Sequence, residues 1–120
     1  MDYSKPANTF IDKGVTIEAN KLSGAESVRI DGSYIGDIDL DGYLQVGESG
    51  IIEGNMHVAY ALVAGKIIGN IISKGTIQLA SSAKMQGNIS ANSVIIDEGA
   101  MFYGYCKTLI EKNEVEVVVI

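Results

Sequence analysis

A glycine-centred pentapeptide recurs along this chain at nearly constant spacing, and no other feature restricts the fold as much. The pattern is an apolar residue, any residue, Gly, a polar residue and an apolar residue. It occurs as Tyr34-Ile35-Gly36-Asp37-Ile38, Ile52-Glu53-Gly54-Asn55-Met56, Ile67-Ile68-Gly69-Asn70-Ile71 and Met85-Gln86-Gly87-Asn88-Ile89. Phe102-Tyr103-Gly104-Tyr105-Cys106 is the last copy, and Ile17-Glu18-Ala19-Asn20-Lys21 is a degenerate first one. The central positions 19, 36, 54, 69, 87 and 104 are separated by 17, 18, 15, 18 and 17 residues.

Side chains alternate faces along a strand, so the residues two before and two after each Gly share one face. That face reads apolar, Gly, apolar, which places the Gly inward, where a Cβ would crowd the interior. The alternative is that each Gly marks a turn. Between the copies lie second strand-like runs: Val28-Arg29-Ile30, Leu44-Gln45-Val46, Ile77-Gln78-Leu79 and Val94-Ile95-Ile96. Turn-like pieces such as Gly47-Glu48-Ser49-Gly50 and Ala80-Ser81-Ser82-Ala83 separate them. Several short strands within a period near 17 or 18 make one coil of a β-solenoid. Three sides of about six residues fill such a coil, and stacking at about 4.8 Å gives five to six coils. The expected core is Val28, Ile30, Ile38, Leu44, Val46, Ile52, Met56, Leu62, Ile67, Ile71, Ile77, Leu79, Met85, Ile89, Val94 and Ile96. Cys106 falls on the ladder of Ile38, Met56, Ile71 and Ile89, as a small buried hydrophobe.

Composition agrees with an all-β chain. Ile and Val fill 27 positions against 6 for Leu, and β-branched side chains suit a pleated surface. The 14 glycines would be costly inside helices. The net charge of −6 disfavours a nucleic-acid groove and electrostatic docking on anionic lipid. A single Cys makes no internal disulfide, and a single His builds no multi-histidine metal site. No apolar run reaches the roughly 18–20 residues of a membrane span. The first residues lack the basic and apolar regions of a signal peptide, so a cytoplasmic location is expected.

A solenoid has two terminal coils with unpaired backbone groups, and no capping helix is evident at either end. The C-terminal coil carries Met101, Phe102 and Tyr103, with Phe102 inward and therefore partly uncovered. Val15 and Ile17 hold the corresponding place at the N-terminal coil. Such ends template end-to-end self-assembly. The alternative is that residues 107–120 fold over the last coil, for which Val115-Glu116-Val117-Val118-Val119-Ile120 is strand-prone.

With the repeats in place, the chain resembles the bactofilins, a bacterial cytoskeletal family that forms polymers. The resemblance spans roughly residues 14–107. It rests on Ser27-Val28-Arg29-Ile30-Asp31-Gly32, on the spaced Gly-Asn pairs, and on Asp97-Glu98-Gly99-Ala100-Met101-Phe102-Tyr103-Gly104-Tyr105-Cys106-Lys107. It implies a single-domain, right-handed, three-sided parallel β-helix that assembles end to end without nucleotide into filaments lacking polarity. It further implies no catalytic site, no cofactor, and a scaffold for cell-wall enzymes or other envelope, polar or motility machinery. An aromatic of the last coil lies at the family's C-terminal subunit contact, here Phe102. Members commonly reach the inner face of the cell membrane through a short N-terminal segment, where this chain offers Phe10 and Ile11. The expected division is a flexible segment 1–13, a β-helix 14–107 and a tail 108–120. The chain departs from the pattern at Ala19 and Lys21, which makes the first coil irregular.

Sharper chemistry is outweighed. Asp37-Ile38-Asp39-Leu40-Asp41-Gly42 followed by Glu48 satisfies a calcium-loop pattern, but that loop needs flanking helices and the neighbouring segments alternate like strands. The bland reading is an acidic outer stripe. His57 lies opposite in phase to Met56, as a solvated surface residue. A β-helical acyltransferase needs an apolar residue every six positions, and the 15-residue step breaks that rhythm. A β-helical adaptor that does not polymerise is the other reading.

Overall fold

The computed structural model describes residues 9–23 and 27–108, together with the strand at 113–119. All regular structure among them is β. The strands stack into three ladders, which are the three sides of a coil.

The first side is a six-stranded parallel sheet of β1 (Thr9–Ile11), β3 (Ser27–Ile30), β5 (Tyr43–Val46), β8 (Tyr60–Val63), β11 (Thr76–Leu79) and β14 (Ser93–Ile96). The second side stacks β6 (Ile51–Glu53), β9 (Lys66–Ile68) and β12 (Lys84–Gln86). The third stacks β7 (Met56–Val58), β10 (Ile71–Ser73) and β13 (Ile89–Ala91). Three longer strands, β2 (Thr16–Ser23), β4 (Ser33–Asp39) and β15 (Met101–Thr108), run through both of these sides. The front half of β4 pairs with β6 and its back half with β7, all parallel. Six coils result, as the repeat predicts.

Register explains the core. On the second side Ile17, Tyr34, Ile52, Ile67, Met85 and Phe102 form one inward ladder. On the third, Ile38, Met56, Ile71, Ile89 and Cys106 form another. Identical positions on successive coils bury each other, so each interior side chain is removed from water by the coils above and below. Full burial of an Ile or Leu is worth about 1.5–3 kcal/mol. Tyr34 is buried with its hydroxyl donating to the Asp37 carbonyl at 2.8 Å.

The glycine expectation needs correction. Gly36, Gly54, Gly69, Gly87 and Gly104 stand at the bend between the second and third sides, each with φ between 139° and 149°. A Cβ on Gly54 would lie 1.8 Å from the carbonyl oxygen of Gly36, so it would strike the neighbouring coil rather than the interior. The apolar residues at ±2 still both point inward, because the bend reorients the chain between them. Leu62 is the second correction. Leu44, Gln45 and Val46 pair with Ala61, Leu62 and Val63, so Ala61 and Val63 are buried and Leu62 faces outward. The 15-residue step lies here. Ala59 alone links β7 to β8, and Ala64-Gly65 replace the four-residue turn, which moves the inward phase by one residue. Val94 and Ile96, at the last coil of the first side, are only partly buried.

The first coil is irregular, as expected from Ala19 and Lys21. The register shifts between Glu18 and Lys21, so Leu22 rather than Lys21 stacks on Ile38. Residues 9–11, read from the sequence as part of a flexible segment, pair with β3 and extend the first side.

Candidate assembly surfaces

The functional candidates are the two ends and the three outer faces. At the N-terminal end β1 and β2 each pair on one side only among the described residues. Ile17 is inward in phase, but nothing described stacks below it, and it is 37% exposed. Val15 is exposed in the turn before β2, where its N–H donates to the Asp12 carbonyl. Both residues read as the N-terminal contact therefore lie at the open end.

The C-terminal end is different. β16 (Asn113–Val119) runs antiparallel along β15, with Phe102 opposite Val119 and Cys106 opposite Val115. The tail thus covers the edge of the last coil on the second and third sides. Phe102 is fully buried instead of partly uncovered, because the strand supplies the neighbour the repeat lacks. Met101 and Tyr103, its neighbours, point outward and are exposed. On the first side β14 pairs with β11 alone among the described residues, so that edge stays open.

Phe10 and Ile11 separate, because adjacent strand residues face opposite ways. Ile11 is buried against the core and Phe10 is exposed on the outer face. Among the described residues no helix is long and apolar enough to cross a membrane.

The residues after the corner glycines carry a role that phase alone did not reveal. The Asp37 carboxylate accepts the Asn55 N–H at 3.0 Å, the Asn70 side-chain carbonyl accepts the Asn88 N–H at 3.0 Å, and that of Asn88 accepts the Tyr105 N–H at 3.1 Å. The Asn70 amide also donates to the Asn55 side-chain carbonyl at 3.1 Å. The bend takes these N–H groups out of the regular ladder, and the stacked Asx side chains satisfy them. The recurrence of Asn at this position was the available signal.

The apparent calcium loop is strand β4, a short turn and β5. Asp37 is used in the corner ladder, and Asp39 pairs with Lys21 at 3.3 Å. No three His, Cys, Asp or Glu side chains converge among the described residues. His57 is exposed on the third side. Cys106 is buried, and burial pushes its thiol pKa up, away from the reactive thiolate.

Stacked coils, an inward apolar ladder and open sheet edges define a β-solenoid built from its own repeat. The bactofilin family model, described as polymer-forming cytoskeletal, matches residues 9–107. The chain belongs to this family. It is 33% identical over 98 residues to bactofilin BacO of Myxococcus xanthus (strain DK1622), covering 82% of this chain and 77% of the relative. It is 34% identical over 97 residues to bactofilin BacP of the same organism, covering 81% of this chain and 40% of the relative, so it spans about two fifths of BacP. No solved structure matches it significantly.

Proposed function

We propose that this chain assembles end to end, without nucleotide or metal, into filaments lacking polarity. One observation carries the reading: among the described residues the first-side sheet is open at both ends, at β1 and at β14. Unpaired strand edges over an apolar interior favour another edge. At the C-terminal end β15 already accepts an antiparallel strand. A two-fold contact between copies also brings edge strands together antiparallel, so like ends meet like ends. Val15 and Ile17 would meet their counterparts at one end. At the other, Phe102 holds the last coil from beneath, with Met101 and Tyr103 on its rim. The filament serves as a scaffold whose outer faces hold cell-wall enzymes or other envelope proteins at the cytoplasmic side of the cell membrane, with the exposed Phe10 available for lipid contact. It uses no catalytic residue.

Negative-stain electron microscopy of the purified chain tests this, beside an Ile17→Asp variant. Filaments are expected for the parent. The variant loses one end contact, so a filament lacking polarity shortens to dimers, whereas a head-to-tail filament would fall to monomers. A parent that stays monomeric across concentration and salt would instead be an adaptor.

A further inference from the structure

The outer surface of the second side carries a charge pattern that fits a copy of itself. Its two outward ladders are Thr16, Ser33, Ile51, Lys66, Lys84, Met101 and Glu18, Ile35, Glu53, Ile68, Gln86, Tyr103. The acids sit on coils one and three, the lysines on coils four and five. Ile35 and Ile51 are 40% and 41% exposed between them. Among the described residues Glu18, Glu53, Lys66 and Lys84 make no ion pair. The third side differs, because Asp39 there is paired with Lys21.

We infer that this face is a lateral contact by which two filaments pair, with the facing subunits antiparallel. Symmetry decides the orientation. Two such faces can meet about an in-plane two-fold axis that runs along the filament or across it. The axis along the filament sets each coil against its own copy. Lys66, Lys84 and Glu53 would then face like charges about one ladder away, roughly 7 Å. The axis across the filament sets coil three against coil four. Glu53 then lies diagonal to Lys66 of the other copy, and Lys66 to its Glu53, over a patch of Ile35, Ile51 and Ile68. Opposite charges and apolar area coincide only in this arrangement. The two acids on the same face also oppose seating it on an anionic bilayer.

The face measures about 24 Å by 10 Å over six coils of three residues. That is well under the roughly 800 Å² per partner of a stable complex. A single chain would not hold it, but a rod repeating the patch would, through multivalency. The inference therefore rests on the filament reading above.

Two full-length variants test it at about 50 mM salt, where surface charges are weakly screened. One is Lys66→Glu with Lys84→Glu, the other Glu18→Lys with Glu53→Lys. All four positions are exposed, and circular dichroism checks the fold. Parent filaments should pair and separate at about 0.5 M salt. Each variant alone should give single filaments only, and an equal mixture of the two should restore pairs. Parent filaments that never pair, variants that still pair, or a mixture that stays single would overturn the contact and leave end-to-end assembly standing. A parent with no filaments overturns both. Phosphatidylglycerol vesicles that bind the parent through Lys66 and Lys84 without any filament pairing would make lipid the occupant and also overturn it.

Discussion

Ile17 and Phe102 close the two ends of the same inward ladder, yet Ile17 is 37% exposed and Phe102 is fully buried. The difference is β16, which pairs along Phe102's strand and has no counterpart described beneath Ile17. Phe102→Ala should therefore cost about 3–5 kcal/mol, within the range for a large core residue. Ile17→Ala should cost less, about 1–2 kcal/mol in the monomer, because only part of its side chain leaves water. Urea denaturation at low protein concentration measures both. Equal losses would mean the N-terminal coil is as well covered as the C-terminal one. Phe102→Arg should unfold the last coil outright, since nothing pairs the buried guanidinium.

The corner glycines should tolerate no side chain. Gly54→Ala combines an unfavourable φ of 149° with a Cβ 1.8 Å from the Gly36 carbonyl oxygen. The coils would have to separate to admit it, and a loss above about 3 kcal/mol is expected. Gly14 has φ 87° but open space around its Cβ position. Gly14→Ala should cost only the left-handed backbone term, about 1–2 kcal/mol. Thermal melts of the two variants compare the costs. Similar values would show that conformation alone, not the neighbouring coil, dictates glycine at the bend.

Asn70 joins three coils, accepting from the Asn88 N–H and donating to the Asn55 side chain. Removing it leaves the Asn88 N–H without its partner at the corner. Asn70→Ala should lose about 1–2 kcal/mol, a modest figure because the site is exposed and water can substitute. Amide hydrogen exchange gives the sharper readout: Asn88 N–H protection should fall while that of Ile77, in the facing sheet, stays. Unchanged Asn88 exchange would remove the corner ladder from the list of things that hold the coils together.

Burial raises the pKa of Cys106 and of Tyr34, and for Tyr34 the Asp37 charge adds to the rise. Both groups are favoured in their protonated, neutral forms when folded. Their folded values lie above their unfolded ones, so this contribution is complete below the unfolded pKa. It is lost as pH rises through the folded value. Stability should fall above about pH 8.5, where unfolded thiols begin to ionise, and again beyond about pH 10. Denaturation midpoints from pH 7 to 11 test the direction. The Cys106 thiol should also react with a thiol reagent only as fast as the last coil opens, and immediate labelling at pH 8 would contradict its burial.

Much of the architecture is legible along the chain. The spacing of the corner residues counts the coils, and the alternation around them identifies Ile38, Ile52, Met56, Ile67, Ile71 and Ile89 as interior. These signals are short-range, because a strand's period of two and a coil's length are both written within 18 residues. The irregular first coil is readable for the same reason, from Ala19 and Lys21. Leu62 is not, because two links shorten together and only the pairing of β8 with its neighbours shows that Ala61 and Val63 take the inside.

By itself, then, the sequence determined a stack of coils with an apolar interior, since each coil repeats the same local pattern and cannot bury it alone. The tertiary structure decided what depends on a neighbouring coil or a distant segment. The forbidden Cβ of Gly54 points along the stack, which matters only once Gly36 lies beneath it. The Asn side chains become acceptors only when the next coil presents an N–H. Ile11 joins the core and Phe10 leaves it because β1 docks on β3. Phe102 is sealed because β16 returns antiparallel, a long-range pairing that no periodicity encodes.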